Sequence, residues 1–91
     1  MSWEITELQL DANGGLASAF QFELLFTGLG NAPQCFLRGD GIVVRAQQVR
    51  FNREAELRAL LEGLGFSAQE TLHYLADRVL NCARQELVAA V

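Results

Sequence analysis

The chain holds one histidine, His73, and two cysteines, Cys35 and Cys82. Nucleophilic or metal chemistry would have to be built around them. A Ser-His-Asp or Cys-His arrangement needs its imidazole within hydrogen-bond reach of the nucleophile. On a helix, Cys82 stands more than two turns beyond His73 and faces differently. His73 itself falls at the flank of an apolar helical stripe, which predicts a half-buried packing role. Metal ligation finds no H-x-x-x-H, no H-E-x-x-H and no C-x-x-C. The carboxylate pairs Glu4/Glu7 and Glu54/Glu56 have spacings common on any polar surface. The expectation is a chain with no catalytic residue, no cofactor and no metal: not an enzyme.

Two short motifs invite a functional reading. "GLGNAP" (28–33) begins like a phosphate-binding G-x-G, but the third glycine is missing and no helical pattern follows. It is expected to be a loop. Arg38-Gly39-Asp40 is the tripeptide that extracellular ligands present to integrins. That use requires export. The opening "MSWEITEL" lacks the basic and apolar regions of a signal peptide, and no stretch approaches the ~18 apolar residues of a membrane span. A cytoplasmic protein with no membrane and no integrin partner is expected. Reduced, buried cysteines suit that setting. Gly39-Asp40-Gly41 is predicted instead to be the tight turn of a hairpin.

Charge narrows the partners. The net charge is −4, which argues against direct nucleic-acid binding through phosphate contacts. Residues 1–37 carry Glu4, Glu7, Asp11 and Glu23 and no basic residue. Residues 38–58 carry Arg38, Arg45, Arg50, Arg53 and Arg58 against Asp40, Glu54 and Glu56. Such asymmetry either steers a polar partner or reflects ordinary solvated faces. All seven basic residues are arginine, which points to GC-rich coding and a bacterial or phage source. Ninety-one residues make one domain, and 51% of them are apolar. So small a chain has little interior for that much apolar surface, and self-association or a protein partner is expected.

The elements that would position these residues fall into two blocks, a β-meander over 1–51 and a helical hairpin over 52–91. In 3–10, "WEITELQL", Trp3 and Ile5 share one parity and Leu8 and Leu10 the other, so a strand needs a bulge near Thr6–Glu7. "DANGG" (11–15) supplies an Asn-Gly hairpin turn. Residues 16–27 give the clearest alternation in the chain, with Leu16, Phe20, Phe22, Leu24 and Phe26 on one face. Residues 34–38 and 42–51 form a second hairpin, with a bulge predicted near Gln47–Gln48. Only that bulge would bring Arg45 and Arg50 into one stripe.

Helical periodicity begins after Asn52, the predicted N-cap, with Leu57, Leu60, Leu61 and Leu64 on one side. Gly65 is placed to end that helix, and Ser67 with Glu70 forms a capping box for the next. There Leu72, Leu75, Ala76, Val79, Leu80, Cys82, Ala83 and Leu87 share a broad face, with Glu86 intruding. Tyr74, Arg78 and Asn81 form a row on the opposite side. Tyrosine and arginine are residue types that supply binding hot spots, and Trp3 stays ordered near a terminus only if something covers it. The candidate partner-binding residues are therefore Trp3, Arg45, Arg50, Tyr74, Arg78 and Asn81.

The fold expected is α+β: a four-stranded antiparallel meander followed by an αα-hairpin on one face, a two-layer ββββαα arrangement. This order of elements resembles that of some small phage-encoded anti-CRISPR inhibitors, and immunity proteins for bacterial toxins share its size and acidity. The resemblance implies an acidic surface set against a nucleic-acid-handling partner. The residues themselves point to a non-catalytic protein–protein interaction domain that forms a homodimer.

Overall fold

A computed structural model describes residues 2–11, 17–29 and 32–89, with the side chains of 29, 32, 33 and 86–89 outside that description. The elements run β1 (Ser2–Asp11), β2 (Ala17–Leu29), β3 (Ala32–Val44), β4 (Gln48–Phe51), α1 (Glu54–Gly63) and α2 (Ala68–Ala89). The strands form one antiparallel sheet in the order β1-β2-β3-β4, and both helices pack on one of its faces. The ββββαα prediction is borne out. β2 and β3 pair over nearly their whole length. Thirteen residues at about 3.4 Å each account for most of the 48 Å long axis.

Alternation decides what is buried. Phe20, Phe22, Leu24 and Phe26 are each at most 2% exposed and face the helices. Leu57 and Leu61 of α1 and Leu72, Leu75, Val79 and Ala83 of α2 close over them. β1 contributes Trp3, Ile5, Leu8 and Leu10 to that side. It does so because the pairing slips between Ile5 and Glu7, so Thr6 is the bulged residue and its hydroxyl donates to the Glu23 carbonyl at 3.2 Å. This is the bulge the sequence required. The Asn13-Gly14 turn lies outside the described residues.

Three expectations about turns are corrected. Of the predicted loop 28–33, residues 28 and 29 continue β2 and residues 32 and 33 open β3, while 30 and 31 lie outside the described residues. Gly39-Asp40-Gly41 is no turn: it sits inside β3, with Gly39 paired to Phe22 and Gly41 to Phe20. A Cβ on Gly39 would lie 2.4 Å from Phe22 Cζ, and one on Gly41 would lie 2.6 Å from Phe20 Cζ and 2.1 Å from the Arg50 carbonyl oxygen. Phe51 meets both rings edge-on at 5.7 and 6.0 Å. These glycines are present because aromatic rings occupy the space above them, a cross-strand device, rather than for a left-handed backbone.

The turn that does join the hairpin is Arg45–Gln47. Gln47 N–H donates to Val44 O at 3.0 Å, and Arg45 and Ala46 both take φ of 54°. A type I′ hairpin turn needs positive φ at both central positions, and non-glycine residues supply it here. What resembled a bulge near Gln47–Gln48 is this turn.

Helix boundaries follow ordinary chemistry with one exception. Asn52 is not the N-cap: its N–H still bonds the Asp40 carbonyl at 2.9 Å, which keeps it in the sheet. Arg53 takes the cap position with φ 52° and no side-chain cap. Leu60, predicted for the apolar stripe, is 54% exposed, since α1 covers the sheet only through Leu57 and Leu61. At the other end Phe66 N–H bonds Leu61 O and Gly65 N–H bonds Glu62 O, both at 3.0 Å, with Gly65 at φ 90°. That is a Schellman termination, and it needs a residue tolerant of positive φ at Gly65. Ser67 Oγ accepts from Glu70 N–H at 3.2 Å and opens α2.

Candidate interaction surface

The inner-facing Trp3 lies on β1, an edge strand, so part of its indole sits at the rim of the sheet. α2 passes over this rim and presents Tyr74. The rings meet edge to face, with centroids 5.4 Å apart and planes at 86°. An edge-on aromatic pair contributes about 0.5–1.5 kcal/mol beyond its burial. Tyr74 remains 48% exposed. Arg78, one turn on, lines the same cleft with Trp3, Glu4, Ile5 and Tyr74. Sequence spacing put Tyr74 and Arg78 together, but only the fold adds Trp3, because β1 ends at Asp11 and α2 begins only at Ala68.

The other candidates lie elsewhere. Asn81 is exposed on α2 and does not line the cleft. Arg45 belongs to the β3–β4 turn and Arg50 points outward from β4, at the opposite edge of the sheet from Trp3. They form no single stripe with one another, because Arg45 is a turn residue. Two exposed apolar residues were not among the surface candidates: Phe36 (55% exposed), and Leu60, which the sequence assigned to the core. Phe36 stands on the open sheet face next to Leu25 of β2. The advance signal for Phe36 was parity: even residues of β3 fall opposite the packed set.

The open face also displays charge. Glu4, Glu7, Gln9 and Asp11 of β1 are all exposed. Glu23 of β2, whose side chain is only 15% exposed, pairs with Arg38 at 3.7 Å. Arg38 and Asp40 thus present their side chains on this face from within a strand, not from a loop tip, while Gly39 between them faces Phe22.

His73 is not the packed residue expected. Its side chain is 78% exposed, and its Nε2 lies 3.6 Å from Asp77 Oδ2, a solvated i,i+4 pair. Thr71, one turn before Leu75, takes an inward position instead and is 3% exposed. Cys35 and Cys82 are free thiols of intermediate burial. Among the described residues no three His, Cys, Asp or Glu side chains gather in a way that could hold a metal ion, and no helix is long and apolar enough to cross a membrane. Comparison with protein-family models, curated proteins and solved structures returns no match to this chain.

Proposed function

We propose that this chain is a non-catalytic protein–protein interaction domain of bacterial or phage origin that works in the cytoplasm and docks a protein through the Trp3–Tyr74–Arg78 cleft. The observation that carries this reading is the half-exposed Tyr74 held edge-on by Trp3, with Arg78 beside it. Rigid aromatic anchors flanked by arginine are what hot spots are made of. The test is affinity capture from a bacterial lysate with the wild type, Tyr74→Ala and Arg78→Ala, all checked for equal folding. Support is a protein retained by the wild type and lost by both variants. Equal capture by all three, or by none, refutes the reading.

Self-association as a homodimer belongs to the same proposal. The aromatic face of β2 is covered within one chain, so support for a dimer moves to Phe36 and Leu60, which remain more than half exposed. Light scattering at about 50 µM tests it, since association is governed by mass action.

A second reading is supported by the row Glu4, Glu7 and Asp11 along the outer face of β1. In that reading the domain is an inhibitor or immunity-type protein that blocks a basic, nucleic-acid-handling protein. Its binding would weaken steeply with salt and on Glu4→Gln/Glu7→Gln. Salt-independent binding would exclude it.

A further inference from the structure

β3 has thirteen residues, but β4 covers only Gly41–Val44 of it. The Asp40 carbonyl points to the β4 side, where it accepts from Asn52. The β2–β3 register is unbroken from Ala17↔Val44 to Leu29↔Ala32, so strict alternation turns the N–H and C=O groups of Arg38, Phe36 and Gln34 to that same side. No described strand lies there. Those of Cys35 and Leu37 face β2. An open edge of this kind is a template for another strand. It carries exposed Phe36 on one face, and Leu37 and exposed Leu60 line a groove on the other.

We propose that the occupant of this edge is a second copy of the chain, joined antiparallel about a two-fold axis at Phe36 to make one continuous eight-stranded sheet. The inference rests on the homodimer part of the proposed function and names its interface. In this register Phe36 exchanges both backbone hydrogen bonds with its counterpart, and each Arg38 exchanges two with the other chain's Gln34. The two Phe36 rings become cross-strand neighbours. Arg38 stands across from an amide rather than a like charge, and it keeps Glu23 at 3.7 Å. Charge rejects the other edge. β1 carries Glu4, Glu7 and Asp11 with no cation, so pairing it with itself would set carboxylates against one another.

Mass and amide exchange together test the proposal. At about 50 µM the wild type should have twice the 10.0 kDa chain mass. Amides of Gln34, Phe36 and Arg38 should exchange at least about tenfold slower there than on dilution. Those of Cys35 and Leu37 should be slow at both concentrations. Phe36→Lys opposes two ammonium groups at the axis and should give a folded monomer with the same circular dichroism, in which only the three outward amides lose protection. A monomeric wild type overturns this interface together with the homodimer reading. A dimer that survives Phe36→Lys, or whose three amides stay unprotected, overturns the interface alone and leaves self-association standing.

Discussion

Gly41→Ala is a more severe change than Gly39→Ala or Gly63→Ala. The added Cβ would meet the Arg50 carbonyl oxygen at 2.1 Å and Phe20 at 2.6 Å. A carbonyl of the neighbouring strand cannot swing aside as a side chain can, so β4 must separate from β3, and the Phe20 ring must shift against Phe51 as well. Overpacking of this kind costs about 1–3 kcal/mol, and a backbone obstacle puts it at the upper end. Alanine also restricts the unfolded chain, which returns about 0.4–1 kcal/mol. The expected net loss is about 2 kcal/mol, or a fall in Tm of roughly 8–16 °C for a domain of this size.

Gly39→Ala meets only the Phe22 ring, at 2.4 Å, and should cost less, about 1 kcal/mol, because the ring can shift. Gly63→Ala has nothing within 4 Å and lies in α1, so it should stabilise by about 0.5–1 kcal/mol. Urea unfolding followed by circular dichroism ranks the three. Combining Gly39→Ala with Phe22→Leu should recover part of the Gly39→Ala loss in a double-mutant cycle. Equal stability of Gly41→Ala and Gly63→Ala, or strict additivity in that cycle, would refute the claim that the rings require the glycines.

Three further outcomes follow from local geometry. Ser67→Ala removes the acceptor for the Glu70 amide and should destabilise by about 1 kcal/mol in the same unfolding assay. Arg45→Asn places a residue tolerant of positive φ where φ is 54°, and should raise stability by roughly 0.5 kcal/mol. A loss instead would show that the arginine side chain has a role beyond the turn. Asp77→Asn breaks only the solvated pair with His73, and its effect should stay within about 0.5 kcal/mol.

The fold was legible where one physical rule acted alone. Period-2 alternation gave β2, parity conflict gave the Thr6 bulge, and Gly65 and Ser67 gave the helix boundaries. Legibility failed where two rules competed. Gly39 and Gly41 carry turn propensity, yet their glycines answer to Phe20 and Phe22, partners about twenty residues away in sequence. Arg45-Ala46 makes the true turn with residues that advertise none, because tertiary pairing on both sides outweighs local strain. Half of the cleft was visible as the Tyr74–Arg78 spacing. Trp3 joined it only through the crossing of α2 over β1, which no local pattern encodes. Leu60 misled because helical periodicity says which side is apolar but not how far a neighbour reaches across it.

Each strand of the sheet pairs only with its neighbours in the chain, so the contacts of the meander are local and it can assemble early and fast. Among the described residues its cover comes from α1 and α2, which follow the strands in the chain. At roughly 5–20 residues per second of synthesis, the Phe20–Phe22–Phe26 face stands uncovered for seconds while the open edge of β3 is already formed. The helices therefore act as a late-arriving lid over a surface that would otherwise recruit other nascent chains. Chains cut after Phe51 should accumulate as aggregates, whereas full-length chains should refold without them.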